Sequence, residues 1–111
     1  MEVEIIVKLI FPVTGLLEVG LSIPLVLEKI PPNYYYGFRV EKIYSNKEIW
    51  YKVNKYFGRD FLVMGLIVIT GSLIMFVLNV SVAVFSLVGL VLLLIPLIID
   101  LFRAFNYLSK L

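Results

Sequence analysis

A carboxyl group inside an apolar block is the first feature of this sequence that points to chemistry. Glu18 lies near the middle of the block 5–27. A charge at the centre of a bilayer costs at least about 2.5 kcal/mol on insertion scales, so such residues usually face a bundle interior and often serve a function. Thr14, Glu18 and Ser22 are spaced by four and share one helix face. This face is predicted to line a groove in which Glu18 is a binding or proton-linked site.

Two other roles for Glu18 remain open at this point. The carboxylate would pair with Arg39 if the loop that follows the first apolar block folds back into the mouth of the groove. In the purely structural alternative, a protonated Glu18 hydrogen bonds to Thr70 or Ser72 of a neighbouring helix.

A second group of ionisable residues lies at the edges of the other apolar blocks. Asp60 precedes one block, and Asp100 and Arg103 follow the next. Asp100 and Arg103 are three residues apart and are expected to pair on one helix face, as in ordinary interfacial salt bridging. A pocket at this edge would have Trp50 as one wall, and its polar residues would be Asn33, Arg39, Asp60, Asp100 and Arg103.

Several kinds of chemistry are excluded by composition. The chain has no cysteine and no histidine, so thiol nucleophiles, thiolate metal sites and the usual neutral-pH base are missing. The carboxylates show no spacing typical of a metal site. The chain is therefore expected not to be an enzyme and to have no metal or cofactor. Nucleic acid is not an expected partner, because the basic residues lie in a loop against the bilayer, where anionic lipid is nearer.

The elements that position these residues follow from hydropathy. The chain is 61% hydrophobic with a mean hydropathy of +1.01, and the blocks 61–78 and 80–99 carry no charge. Each has about the length that crosses a 30 Å hydrocarbon layer as a helix. We therefore predict an all-α integral membrane protein with a single membrane domain, 1–111. Its helices are expected at about 5–27, 61–78 and 81–100, with a motif loop at 28–60 and a tail at 101–111.

The loop is predicted to contain a short amphipathic helix in the headgroup layer. Ser45 and Glu48 are three apart and fit a capping box. From Asn46 to about Phe57 the apolar residues recur at spacings of three and four, which indicates one helix face. Aromatic residues and lysines on such a helix suit the membrane interface, and Gly58 is expected to end or bend it.

The distribution of basic residues predicts the orientation. Short cytoplasmic segments collect Lys and Arg, and the loop has seven of them: Lys29, Arg39, Lys42, Lys47, Lys52, Lys55 and Arg59. The N-terminus is therefore expected outside the cell, and the loop and C-terminus in the cytoplasm of a multi-pass cell-membrane protein.

The segment 31–58 resembles the signature segment of the SdpI family of small membrane proteins. The resemblance rests on Pro32-Asn33, Gly37-Phe38-Arg39, Asn46, Glu48, Trp50 and Asn54. It implies an immunity protein and receptor that protects a cell against a membrane-acting toxic peptide by binding it or a cytoplasmic regulator. It also implies that the binding residues include Asn33, Gly37, Arg39, Trp50 and Asn54.

A second function is compatible with the same sequence. Glu18 would serve a small transporter as its proton- or cation-linked site. Three helices are few for a transport pathway, so this version requires a homo-oligomer.

Overall fold

The structure is a computed structural model that describes residues 2–40, 43 and 46–111. Three α-helices account for most of the chain: α1 (Glu2–Val26), α2 (Lys47–Val77) and α3 (Val82–Ser109). Each is long and apolar enough to cross a membrane. No strand occurs in these residues, so the prediction of an all-helical chain with three such helices is confirmed.

Large apolar side chains cover the outside of all three helices. Leu17 on α1, Leu73 on α2 and Leu87 on α3 are all more than half exposed. In lipid such side chains carry no penalty, because the surrounding hydrocarbon is as apolar as they are. The helices must then be held together by close packing and by polar contacts.

The amphipathic segment predicted at about 46–57 is not a separate unit, because α2 continues from Lys47 through it and into the span. Gly58 lies within α2 and does not end it. Composition changes near Phe61 from mixed to wholly apolar, but the helical spacing does not change there. Asn46 caps the helix by accepting a hydrogen bond from the Ile49 N–H (3.2 Å). Ser45, the predicted cap, lies outside the described residues.

Helices α1 and α2 pack with their backbones in contact. A Cβ placed on Gly15 would lie 2.9 Å from the carbonyl oxygen of Gly65, and one placed on Gly65 would lie 2.8 Å from the carbonyl oxygen of Gly15. Glycine at both positions permits this approach, which is a common source of packing energy between membrane helices. The buried face of α1 contains Phe11, Gly15, Glu18, Ser22 and Leu25.

The bundle has two different ends. At the turn end, residues 78–81 join α2 to α3, with Asn79 in the left-handed region (φ 53°). Phe76 and Phe85 meet edge to face there (centroids 5.1 Å apart). Lys8 of α1 donates a hydrogen bond to the carbonyl oxygen of Val80 (2.8 Å) and lies 5.7 Å from the Phe85 ring centroid. At the loop end, Phe38 and Ile43 of the connection between α1 and α2 pack in one apolar cluster with the start of α2 and the end of α3.

Candidate functional site

Asn33 organises the first part of the loop. Its Oδ1 accepts hydrogen bonds from the N–H groups of Tyr35 (2.8 Å) and Tyr36 (2.6 Å). Its Nδ2 donates to the carbonyl oxygens of Pro31 (2.8 Å) and Tyr36 (3.1 Å). Asparagine side chains stabilise turns in this way. All four contacts lie within the loop, so Asn33 supports local structure.

Asn54 of α2 fixes the second part of the loop. It is 2% exposed, and its Oδ1 accepts from the Phe38 N–H (2.6 Å). Its Nδ2 donates to the carbonyl oxygens of Phe38 (3.3 Å) and Trp50 (3.1 Å). Gly37 precedes this contact with φ 105°, and a Cβ there would lie 2.6 Å from Asn54 Oδ1. Glycine is therefore required at 37 both by the backbone angle and by the close approach.

Trp50 connects the loop to both α2 and α3. The side chain is fully buried, and its Nε1 donates to the carbonyl oxygen of Ile30 (2.8 Å). It belongs to an apolar cluster with residues from the loop, α2 and α3, namely Phe38, Ile43, Val53, Ala104 and Leu108. Trp50 therefore holds the loop against the bundle.

Two loop side chains reach backbone carbonyls. Exposed Arg39 donates from Nη1 to the carbonyl oxygen of Tyr34. It makes no ion pair with Glu18 within the described residues, so the expected Arg39–Glu18 pair is wrong. The Tyr36 hydroxyl donates to the carbonyl oxygen of Leu21 in α1, and burial raises the pKa of this phenol.

Arg103 of α3 pairs with Asp60 of α2. Its Nε lies 2.6 Å from Asp60 Oδ2, and its Nη2 lies 3.4 Å from Oδ1. The guanidinium also lies 5.3 Å from the Tyr56 ring centroid, and Tyr56 stacks on Tyr107 at 4.4 Å. The expected Asp100–Arg103 pair is wrong, because the helix crossing presents Asp60 to the planar guanidinium in a two-point geometry that favours Arg–carboxylate pairs.

Asp100 is buried, with the carboxyl of Asp60 and the guanidinium of Arg103 as its charged neighbours. It is 1% exposed, and neither carboxylate oxygen has a hydrogen-bond partner among the residues that the structure describes. Asp60, Asp100 and Arg103 line a cavity of about 290 Å³ between α2 and α3. The other lining residues are apolar: Val63, Met64, Ile67, Pro96 and Ile99. We call this space the α2–α3 cavity.

Glu18 lies apart from this cavity, against α2 in the packed face of α1. It is 6% exposed, and its Oε2 has no hydrogen-bond partner in the described part of the chain. Ser72 donates to the Val68 carbonyl of its own helix (2.7 Å), and Thr70 is exposed on the outside of α2. The expected hydrogen bond from Glu18 to Thr70 or Ser72 is therefore not formed.

The candidate residues therefore fall into three groups. The first maintains the loop and contains Asn33, Gly37, Arg39, Trp50 and Asn54. The second lines the α2–α3 cavity and contains Asp60, Asp100 and Arg103. Glu18 stands alone. The single pocket expected from Asn33, Arg39, Trp50 and the second group is not formed.

Comparison with known proteins matches the part of the chain that contains the first group and most of the second. A family model described as the SdpI/YfhL protein family covers residues 29–100. The chain belongs to this family. The comparisons with curated proteins and with solved structures gave no match. The resemblance inferred from the loop motif is thus confirmed.

Membership of the SdpI/YfhL family defines the class of the protein. Together with the three long apolar helices it indicates a multi-pass membrane protein, and the family is not a known enzyme family. The matched range begins after α1, so Glu18 and Lys8 lie outside it, while Asp60 and Asp100 lie within it.

Sequence analysis missed the apolar residues that shape the cavity. Val63, Met64 and Ile67 follow Asp60 at spacings of three, four and seven. This spacing places them on one face of α2, and it is visible in the sequence. It was not informative alone, since every position in this span is apolar enough to face either lipid or protein.

Proposed function

We propose that this chain is a non-enzymatic SdpI-like immunity and receptor protein, which protects its cell against a membrane-acting toxic peptide by binding the peptide or a partner protein. The observation that carries the proposal is the family match over residues 29–100, which includes the loop, α2 and most of α3. The chemistry required is recognition, and recognition benefits from a surface that is ordered before its partner arrives.

The loop offers such a surface. Asn33, Asn54 and Trp50 use their polar atoms to hold the loop backbone. Tyr35 is 89% exposed, and the exposed Arg39 side chain contacts the carbonyl oxygen of the preceding residue, Tyr34. An aromatic ring and a guanidinium on a rigid support are the residue types that most often dominate binding energy in interfaces.

The proposed orientation places this surface in the cytoplasm, with the N-terminus outside, because the loop carries most of the basic residues. The chain has no cysteine, so single cysteines can be introduced cleanly. In intact cells, a membrane-impermeant maleimide should label Glu4→Cys and leave Tyr35→Cys unlabelled until the cells are opened. Labelling of Tyr35→Cys in intact cells would reverse the orientation.

Protection itself is tested by expressing the chain in a sensitive bacterial host and challenging it with a panel of membrane-active peptides. We expect higher survival against at least one peptide. Arg39→Ala should abolish this gain, and Lys52→Ala, which removes an exposed charge that pairs with Glu48 on the same helix (3.1 Å), should keep it. A membrane-inserted chain that protects against none of the peptides would contradict the proposal.

A second function is supported by Glu18, a buried carboxyl whose Oε2 has no hydrogen-bond partner among the residues that the structure describes. An oligomer of the chain would use it as a proton- or cation-linked transport site. Reconstituted vesicles should then show a proton or cation flux that Glu18→Gln removes. A flux that is equal in both proteins would argue against this role.

A further inference from the structure

The charges around the α2–α3 cavity do not balance. Asp60 and Arg103 satisfy each other through two contacts. Asp100 has no basic group within 4.0 Å among residues 2–40, 43 and 46–111. A buried carboxylate without a partner is unfavourable, and such groups are normally paired or hydrogen bonded. The Asp100 carboxyl also lies beside that of Asp60. With both carboxyls ionised the cavity lacks one positive charge, which either a proton shared between them or a bound cation would supply.

The cavity continues into an apolar groove along the outside of α2 and α3. Val63 and Ile67 line both spaces, and the groove has a volume of about 410 Å³. Its further lining residues run towards the turn end: Leu66, Thr70, Gly71, Ile74 and Leu92. At 1.5 Å per residue, the distance along α2 from Asp60 to Ile74 is about 21 Å. The combined space is a long apolar trough with an acidic end.

We propose that this trough binds an aliphatic primary ammonium, with the ammonium on Asp100 and the alkyl chain along the apolar groove. A primary ammonium is a compact charge with three donors, so it can bridge the neighbouring carboxyls of Asp60 and Asp100. A quaternary ammonium has no donors and an alcohol has no charge. The same group occurs in simple alkylamines and in ethanolamine phospholipids; with a phospholipid, the phosphate would lie near Arg103. This inference is independent of the immunity proposal.

A divalent metal ion fits the cavity less well. Within the described part of the chain, no cluster of three or more Asp, Glu, His or Cys residues is placed to hold a metal. Two carboxylates, one of them already paired with Arg103, leave most of the six to eight oxygen ligands of Ca²⁺ unprovided. The long apolar groove would also have no role.

Binding is tested with the purified chain in uncharged maltoside micelles, using methionine labelled with ¹³C in its methyl group. Met64 lines the cavity, whereas Met75 is buried in the aromatic cluster at the turn end. Dodecylamine should shift the Met64 methyl resonance in a saturable manner and leave Met75 unchanged. Dodecanol at the same mole fraction should shift neither.

Asp100→Asn should weaken dodecylamine binding about tenfold or more, since removing one partner of a buried charge pair usually costs at least that much. Glu48→Gln removes a carboxylate from an exposed position and should leave the affinity unchanged. The unchanged Met75 resonance and the helical circular dichroism show that each variant is folded. Equal affinities for Asp100→Asn and wild type, or equal responses to dodecylamine and dodecanol, would overturn the proposal.

A parallel titration with diheptanoyl phosphatidylethanolamine distinguishes the two sources. If it shifts Met64 with an Asp100-dependent affinity, an aminophospholipid of the bilayer is the occupant. If only dodecylamine does so, the occupant is a simple alkylamine. Both results support a primary-ammonium site, and failure of both probes refutes it.

Discussion

The loop 27–46 and the α2–α3 cavity lie at the same end of the bundle but use their polar side chains in opposite ways. Asn33 in the loop and Asn54, which holds the loop from α2, have both their oxygen and their nitrogen hydrogen bonded to backbone groups. In the cavity, both oxygens of buried Asp100 lack partners among the described residues. Polar groups satisfied within the chain stabilise its fold, whereas an unsatisfied one costs stability and remains available to a ligand.

The largest effect is expected at Asn54. In Asn54→Leu, the N–H and C=O groups of Phe38 lose their side-chain partner in a buried setting. Each such group costs about 1–3 kcal/mol, so we expect the free energy of unfolding to fall by about 3 kcal/mol. Titration with dodecyl sulfate in mixed micelles, followed by fluorescence of the single tryptophan, Trp50, measures this change.

Asn106→Leu is the matched control, because Asn106 is an exposed asparagine of α3 at the same end of the bundle as Asn54. It should change the free energy of unfolding by less than about 0.5 kcal/mol. Equal losses in the two variants would show that Asn54 does not hold the loop.

The next effect is expected at Gly37. Gly37→Ala places a Cβ where φ is 105° and where Asn54 Oδ1 is 2.6 Å away. Backbone strain of this kind costs about 1–3 kcal/mol, so unfolding should become easier by about 2 kcal/mol. In Gly20→Ala the new Cβ meets nothing within 4 Å, and that variant should be at least as stable as wild type. If Gly37→Ala left the free energy of unfolding unchanged, the loop backbone would be free to adjust to the new side chain.

A change of opposite sign is expected in the cavity. Asp100→Leu removes a buried carboxyl that has no hydrogen-bond donor among the described residues and that adjoins the Asp60 carboxyl, and it extends an apolar side chain towards existing space. Because burial of an unpaired polar group costs about 1–3 kcal/mol in proteins, the variant should be more stable by about 1 kcal/mol in the same titration. A loss of stability instead would mean that Asp100 supports the fold, and the contrast with the loop would fail.

The smallest effect is expected at Asp60. Its ion pair with Arg103 is partly exposed, and such pairs contribute about 0.2–1 kcal/mol. Asp60→Asn should therefore lower the free energy of unfolding by about 0.5 kcal/mol. Glu48→Gln should lower it by less, because the carboxylate of that pair is more exposed. If Asp60→Asn lowered the free energy of unfolding as much as Asn54→Leu, this ion pair would be as important for stability as the residues that hold the loop.

The spanning helices could be predicted because a hydrocarbon layer demands long uncharged runs, and the blocks 61–78 and 80–99 are such runs. The start of α2 could not, since hydropathy reports the surroundings of a helix and not where its backbone begins. Lys47 lies in the charged segment and Phe61 begins the uncharged block, yet both belong to one helix.

The site was predictable in its residue types more than in its contacts. The family resemblance points to Asn33, Gly37, Trp50 and Asn54 as site residues. It does not show that Asn54 is the partner of Phe38, sixteen positions away, and no local pattern gives that distance. Likewise, the spacing of Asp100 and Arg103 allowed a pair on α3. The crossing of α2 and α3, which residue spacing does not encode, instead places Arg103 in an ion pair with Asp60.

The uninterrupted α2 also extends beyond the thickness of the membrane. Its 31 residues span about 46 Å at 1.5 Å per residue, which exceeds a hydrocarbon layer of about 30 Å. Helix α2 must therefore tilt or project beyond that layer. Asn54 and Trp50, in its first turns, hydrogen bond to the backbone of the loop. Because Asn54 and Asp60 lie on the same unbroken helix, the loop and the α2–α3 cavity are fixed to one rigid element and cannot move independently of it.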